Sequence, residues 1–593
     1  MPFDGLVLAA VREELAEDFT GARIERIHQP EENELTLQLH QPGLRRRLLL
    51  SAHPRYARVH LSSMAKTNPK SAPLFCMVLR KHLEGGRIIA FEQQGLERVL
   101  ILRIEARDEL GRQAEKHLIC EIMGKHSNII LVEPKSQIIL DGIRRYSHSV
   151  SRYREVLPGR DYVFPPSQGK VNPLLLDEDG FRRICLAAPL ESTLVNLLQK
   201  NIEGLSPLTC REIVHRANLP LDFTLDLCGD YDLHALWQGL SSVIGPAKAG
   251  HFQPCLLTGK KGEPLDFAAL KIDHTGTSRN YNNMNELLDH YFTNLSQQHN
   301  LNAERNACLS LINKETKRLT KKIAIYKQSL ADTADSEQFR LYGELLTANL
   351  YRLEKGQAVA SLENYYDPAC PLIDVPLDPL LTPLENAQAY FKKYNKAKNT
   401  KVAVESMLAS AQEELNYLEG VKTGLEKTDN QTEIDEIKQE LTEQGYIKTP
   451  LAKPGQKKNK MKRHLPRPIP FRSSDGFTIF AGKNNKQNDY LTLKLAASED
   501  LWLHTKDIHG AHVIIRSEGR DIPARTLEEA AVIAAYYSKA SQATKVPVDY
   551  TRVKHVRKPN GARPGMVIYE RQKTIMVSPD EELVASLKLK EAD

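Results

Sequence analysis

Over residues 1 to about 170, apolar and polar positions alternate or run in short blocks, which predicts a mixed β and α region. LTLQLHQPGLRRRLLLSA places two apolar runs around a Pro-Gly pair, a hairpin signal. RVLILRIEARDELGRQAEKHLICEIMG repeats the scheme, and NIILVEP and QIILDGI add two short strands. SAPLFCMVLRKHLEGGRI instead has helical spacing at Leu74, Met77, Val78 and Leu83 and stops at Gly85-Gly86. The Pro- and Gly-rich stretch PGRDYVFPPSQGKVNP predicts a boundary near residue 170.

From about 175 to 280 the pattern is one of short helices. LLQKNIEGLSPLTCREIVHRA reads as helix, loop, helix. Two readings stand for it: a helix-hairpin-helix unit offering loop N–H groups to a phosphate, or a plain αα-turn, because Ser206 replaces the usual second glycine. From 283 to about 445, Val404, Leu408, Ala411, Leu415 and Leu418 step 4, 3, 4, 3 along an a/d seam. Cys308, Ile312, Leu319, Ile323, Tyr326 and Leu330 form a looser seam with a polar skip at Glu315. The intervening DPACPLIDVPLDPLLTPLENAQ is too rich in proline for a helix. A long antiparallel coiled-coil hairpin with a structured tip is expected.

After the basic linker KPGQKKNKMKRHLPRP, a final α/β module follows. FTIFAGKNNKQNDYLTLKLA predicts two strands around an Asn-rich turn, and DLWLHTKDIHGAHVIIRS predicts strand, turn, strand. TLEEAAVIAAYYSKA is a helix with a small apolar face at Leu527, Ala530, Ala531, Ala534 and Ala535. The last stretch predicts a basic hairpin with Asn560-Gly561 at its tip.

Composition narrows the class. At roughly 150 residues per domain, 593 residues suggest about four domains, and 41% hydrophobic with 26% charged residues excludes a wholly disordered chain. No apolar run reaches the roughly 18 residues of a spanning helix. The opening MPFDGLVLAAVREEL lacks a basic n-region, so no secretory signal is expected. Eight cysteines without a C-x-x-C pair fit a reducing cytoplasm better than a disulfide framework or a zinc site.

A net charge of +6 hides its own pattern. Gln41 to His60 holds five arginines (Arg45, Arg46, Arg47, Arg55, Arg58) and no acid. Asp141 to Arg160 holds Arg144, Arg145, Arg152, Arg154 and Arg160 against Asp141 and Glu155. Leu451 to Ser474 carries eight cations and no acid, and Thr551 to Lys573 carries seven against Glu570. Each cluster alone is compatible with a solvated surface; four together point to a polyanion, usually nucleic acid.

Catalytic templates for nucleotide hydrolysis, dinucleotide binding, zinc proteolysis and serine hydrolysis are absent. His504, Asp507, His509 and His512 lack standard metal spacing, so no metal or cofactor is expected. Pro2 has the amine for glycosylase chemistry, but Phe3 stands where an acidic partner would be needed. Glu97-Arg98 opens the RVLILRI strand, where the pair can reach a groove. EIMGKHSNIIL ends a strand at Glu121, Ile122 and Met123, then turns through Lys125 and His126, donors suited to phosphates or sugar hydroxyls. In the last module, Trp502, His504, Lys506, His509 and His512, with Lys558 and Arg563, are the candidate RNA-contacting residues.

The opening MPFDGLVLAAVREEL, GARIERIHQP, NPKSAPLFCMVLRKHLEGGRI, EIMGKHSNIIL and DGIRRYSHSVSRYREVLPG resemble the N-terminal domain of the NFACT family. LDPLLTPLENAQAYFKKYNKAK resembles its coiled-coil tip and second arm, and FTIFAGKNNKQNDYLTLKLAASEDLWLHTKDIHGAHVIIR its RNA-binding module. The resemblance implies a multidomain α+β chain. Its expected parts are a glycosylase-like N-terminal α/β domain (1–173), a helix-hairpin-helix-like domain (174–282), a coiled-coil hairpin (283–446), a basic linker (447–464) and an α/β RNA-binding domain (465–580). It implies a cytoplasmic, non-enzymatic ribosome quality-control factor. Such a factor binds obstructed large ribosomal subunits carrying peptidyl-tRNA, recruits alanine tRNA and directs untemplated alanine tailing of the stalled chain. The implied partners are ribosomal RNA, alanine tRNA and the small protein RqcP, with no membrane. The family's Asp-Arg pair falls on Glu97 and Arg98, and its tRNA-contacting strand end on Glu121, Ile122 and Met123. The competing reading is a surface-displayed fibronectin-binding adhesin.

Overall fold

The Pro42-Gly43 turn closes a hairpin where the residue pattern predicts it, joining β2 (Glu34–Gln41) to β3 (Leu44–Ser51). The computed structural model describes residues 3–107, 111–149, 153–259, 262–428, 430–448 and 466–589. Pro2, Arg152 and most of the basic linker lie outside the described residues. The chain divides into two compact units, Met1–Gln298 and His299–Asp593.

In the first unit the other strands are β1 (Arg23–Glu31), β4 (Arg58–Leu61), β5 (Arg87–Gln93), β6 (Val99–Arg107), β7 (Gln113–Glu121), β8 (Asn128–Glu133) and β9 (Ile138–Gly142). They form one sheet in the order β4-β3-β2-β1-β5-β6-β7-β8-β9 with antiparallel pairing throughout. Leu100, Leu102, Leu118, Cys120, Ile129 and Leu131 face the main core, while Val99, Ile119, Ile130 and Val132 face a second apolar cluster with Val156 and Tyr162. Burial on both faces explains why IILV, Ile129 to Val132, is continuously apolar. The helix Gly5–Phe19 fills the main core and is capped by Asp4. The expected helix spans Leu74–Leu83, but Leu74 and Met77 are 63% and 50% exposed. Phe75, Cys76, Leu79 and Leu83 form its buried face instead.

The short helices are Glu178–Ala187, Leu194–Asn201, Pro207–Arg216 and Asp230–Lys248. A three-stranded sheet (Cys255–Thr258, Pro264–Ala268, Ser278–Asn280) follows them and was not legible as helix-rich sequence.

The helix Met284–Ala331 carries the chain into the second unit. There Cys308, Ile312 and Leu319 pack with Tyr417, Leu418, Val421 and Leu425 of the helix Pro383–Glu426 and with Ile437 and Leu441 of the helix Gln431–Glu443. The proline-rich interval supplies one strand of a hairpin, Leu372–Pro376, paired with Val359–Glu363 just before it. Its last residues are helical, against expectation: Pro383 is tolerated in the first turn, and Thr382 with Glu385 forms a capping box.

The terminal module is a six-stranded sheet in the order Ile469–Arg472, Thr478–Ala481, Val513–Ile515, Leu501–Thr505, Val546–Arg552, Lys573–Val577. The helix Ala524–Tyr536 covers one face with its alanines. The expected second strand in FTIFAGKNNKQNDYLTLKLA is helical, Asn485–Tyr490 followed by a wider turn through Leu495, because Asn484 caps the Gln487 N–H. The basic hairpin is nested: Val546–Arg552 pairs with Lys573–Val577 and Val556–Arg557 with Ile568–Tyr569, around Gly561 at φ +77°.

Candidate nucleic-acid interface

Strand register gathers the first group of candidates. Val99 pairs with Glu121, and Glu121 with Asn128, so the turn before β6 and the Gly124–His126 turn share one end of three adjacent strands. A cleft of about 1160 Å³ opens there, lined by Glu97, Arg98, Met123, Lys125 and His126. The sequence-predicted residues therefore converge, apart from two.

Those two are Glu121 and Ile122, which are fully buried. Glu121 accepts from Arg154 Nη1 at 2.7 Å and Tyr162 Oη at 2.9 Å, and pairs also with Arg154 Nη2. Burial disfavours the Arg154 charge, but the bonds to Glu121 outweigh it and hold the guanidinium protonated. Tyr162 is pushed the same way, upward, by its own burial and by that carboxylate. Ile122 donates its N–H to the Arg98 carbonyl at 2.8 Å. A direct RNA contact from either side chain is replaced by a supporting part: they fix the floor beneath Arg98 and Met123.

The Glu97-Arg98 turn is braced from three sides. Gln93 Nε2 donates to the Glu97 carbonyl at 2.9 Å and to the Gly5 carbonyl at 3.0 Å. Glu203, in the loop between two short helices, accepts the Leu96 N–H at 2.6 Å. Gly5 N–H donates to the Gly204 carbonyl at 2.9 Å. A side chain at Gly5 would meet the Leu96 carbonyl, and Gly204, at φ +78°, has no room for one beside Leu96. Burial raises the Glu203 carboxyl, opposed by its bond to Leu96. The loop thus serves as a structural brace for the Leu96 turn. Ser206 caps the following helix, and its N–H donates to Asp4 Oδ2 at 3.0 Å, so an internal carboxylate stands where a phosphate-binding loop would leave its donor open.

Sequence reasoning missed Tyr146, Tyr153 and Phe164, which also line this cleft. The signal for the two tyrosines was their interleaving with arginine in RYSHSVSRYREV, whereas Phe164 lies beyond it in DYVFPP. The arginines of that stretch divide in role. Arg145 is held bidentately by Asp141 at 2.8 Å, and Arg144 donates to Asn33 and to the Lys125 carbonyl. Lys125 and His126 are exposed. In the other N-terminal cluster, Arg58 is buried against Glu34 at 3.0 Å and is structural.

In the second unit a cleft of about 820 Å³ lies between the helix Pro383–Glu426 and the terminal module. Trp502, His504, His509, His512 and Arg563 line it. Trp502 and His512 are buried side chains in the lining of this cleft. Burial lowers His504 to about 4 and His512 well below its ordinary value, so both rings are neutral at pH 7. Lys506 is exposed outside this cleft, and Lys558 pairs with Asp489 at 2.5 Å. Among the described residues no group of three or more His, Cys, Asp or Glu is placed to hold a metal.

The fold and these clefts define a multidomain α+β protein with basic and aromatic surfaces of the nucleic-acid-binding kind. Residues 4–462 match the family model described as NFACT N-terminal and middle domains, and residues 467–570 match the NFACT protein RNA binding domain. The chain belongs to the NFACT family. It is 42% identical over 589 residues to the Rqc2 homolog RqcH of Bacillus subtilis (strain 168), covering 99% of this chain and 100% of the relative. It is 35% identical over 590 residues to the Rqc2 homolog RqcH of Streptococcus suis, again across 99% and 100%. A solved structure of the N-terminal part of the fibronectin/fibrinogen-binding protein from Streptococcus suis is 32% identical, covering 49% of this chain and 99% of that one, with a TM-score of 0.41.

Proposed function

We propose that the chain is a ribosome-associated quality-control factor. It binds obstructed large ribosomal subunits carrying peptidyl-tRNA, recruits alanyl-tRNA, and directs untemplated alanine addition that marks the stalled chain for degradation. The observation that carries this reading is full-length similarity, at 42% identity, to a relative named as an Rqc2 homolog. The cleft that gathers Glu97, Arg98, Met123, Lys125 and His126 supports it, since the family's tRNA-contacting motifs fall on Glu97, Arg98 and Met123, and Lys125 and His126 add donors for phosphate or sugar oxygens beside them.

In this reading the chain positions RNA and the ribosome forms the peptide bonds. Glu97 and Arg98, with Met123, Lys125 and His126, hold tRNA. RqcP and ribosomal RNA are the further partners, and the site of action is cytoplasmic. The domains run 1–173, 174–282, 283–446 and 465–580, with a glycosylase-like frame at the N-terminus and an antiparallel coiled coil as the long arm. The paired seams at Ile312 and Leu418 support the coiled coil. The adhesin reading is not favoured: the full-length relatives compared above are named as Rqc2 homologs.

The test is co-sedimentation with large ribosomal subunits, followed by sequencing of the bound RNA. Salt-sensitive co-sedimentation with alanine tRNA enriched is expected. In an Arg98→Ala chain alanine tailing should be lost while subunit association persists. Recovery only in the cell-wall fraction would overturn the reading.

A further inference from the structure

We propose that the cleft of the second unit is a binding site for one unpaired nucleobase of RNA, an inference that rests on the RNA-binding reading above.

Strand alternation builds the site. Leu503 points to the alanine-rich helix, so its neighbours Trp502 and His504 point to the opposite face. His512 joins them from the residue just before the adjacent strand. The Trp502 and His504 rings stack at 5.7 Å, and His512 and Tyr569 lie 5.2 and 4.8 Å from the indole. The helix Pro383–Glu426 supplies the far wall through Gln412, Asn416 and Tyr417.

The polar groups identify the chemistry. Trp502 is fully buried, yet its indole N–H finds no acceptor among the described residues. Buried donors are nearly always paired, so this one calls for an acceptor from outside the chain. The cations in the walls are already engaged: Lys483 pairs with Glu433 at 3.2 Å, while Arg563 donates to Tyr446 Oη at 2.9 Å and stacks over Tyr417 at 4.9 Å. Glu413 and Asp507 add negative charge. A phosphate is therefore a poor occupant. Neutral imidazoles, an unsatisfied indole donor and the carboxamides of Gln412 and Asn416 suit an uncharged, planar heterocycle with acceptors on its edge. The volume of about 820 Å³ admits a base while its sugar and phosphate remain at the mouth.

The chain has two tryptophans, Trp237 and Trp502, so Trp237→Phe leaves Trp502 as its sole tryptophan, excited selectively over the tyrosines. In that chain a 12-nucleotide oligoadenylate should quench the emission saturably. Adding Gln412→Ala and Asn416→Ala, both on the exposed helix face, should weaken the quenching on the order of tenfold. If Trp237→Phe fails to fold, 5-fluorotryptophan labelling of the unsubstituted chain reads the same event as a shift of the Trp502 resonance, assigned with Trp502→Phe. AMP acting as tightly as the oligonucleotide would overturn RNA as the source. An unresponsive Trp502 in a chain that still retains RNA on a filter would overturn this site and leave the RNA-binding reading intact. Loss of all RNA retention by the unsubstituted chain would remove that reading itself.

Discussion

The Glu203 carboxylate accepts the Leu96 backbone N–H at 2.6 Å, across 107 residues of chain. A loop between two short helices thereby sets the conformation of the turn that presents Glu97 and Arg98. Glu203→Ala leaves a buried donor without its partner, a cost of roughly 1–3 kcal/mol. RNA binding measured by filter retention should fall about tenfold, whereas Glu203→Gln, which keeps the acceptor, should stay near the unsubstituted value. Gly204→Ala should reproduce the alanine effect by steric means, since its Cβ would lie 2.4 Å from that of Leu96. Equal binding by all three chains would show that the brace has no bearing on the turn.

The buried Glu121–Arg154 pair should dominate the stability of the sheet end beneath the cleft. Removing one partner of such a pair typically costs about 3–5 kcal/mol, because the other charge stays buried. Arg154→Ala should therefore unfold at clearly lower denaturant concentration, and Glu121→Gln, which keeps hydrogen-bonding atoms for Tyr162, should be milder. A denaturation midpoint unmoved by Arg154→Ala would contradict this.

Cations that face solvent should differ from cations that are clamped. Lys125 is exposed, so Lys125→Ala should weaken RNA binding and reduce the slope of log K against log salt by roughly 0.7–0.9, the contribution of one phosphate contact. Arg145 is held bidentately by Asp141, so Arg145→Ala should change the slope less. The check is a binding series at four or more salt concentrations for each chain.

Glu440 gives the second unit a pH-dependent term. Its carboxylate accepts from Tyr417 Oη at 2.8 Å and Asn485 Nδ2 at 2.9 Å, and burial raises it from 4.5 to about 7. Between those values the folded chain keeps a proton that the unfolded chain has released, so stability falls as pH rises through this window. Glu440→Gln cannot titrate and should flatten that decline. Parallel Tm–pH curves for the two chains between about pH 5 and 7.5 would exclude the assignment.

Much of the frame was legible because it follows from local periodicity. The hairpin around Pro42-Gly43 and the seams at Ile312 and Leu418 are set by residues a few positions apart. The Glu97-Arg98 and Lys125-His126 segments were legible as surface candidates for the same reason, since polar groups flank strand ends there. The errors fall where local rules conflict. Asn484 and Thr382 act as helix caps in segments whose other residues suggest strand or loop.

Residue spacing alone thus determined the main strands of the N-terminal sheet, the long helices and where the cations cluster. Tertiary structure decided what those residues do. It turned Glu121 inward to Arg154, brought Glu203 to Leu96, and left the Trp502 indole N–H without an acceptor. These outcomes depend on partners 33 and 107 residues away in the first two cases, and on a wall from a distant helix in the third. Side-chain burial and hydrogen-bond pairing are properties of such long-range packing, and periodicity over a few residues carries no term for them.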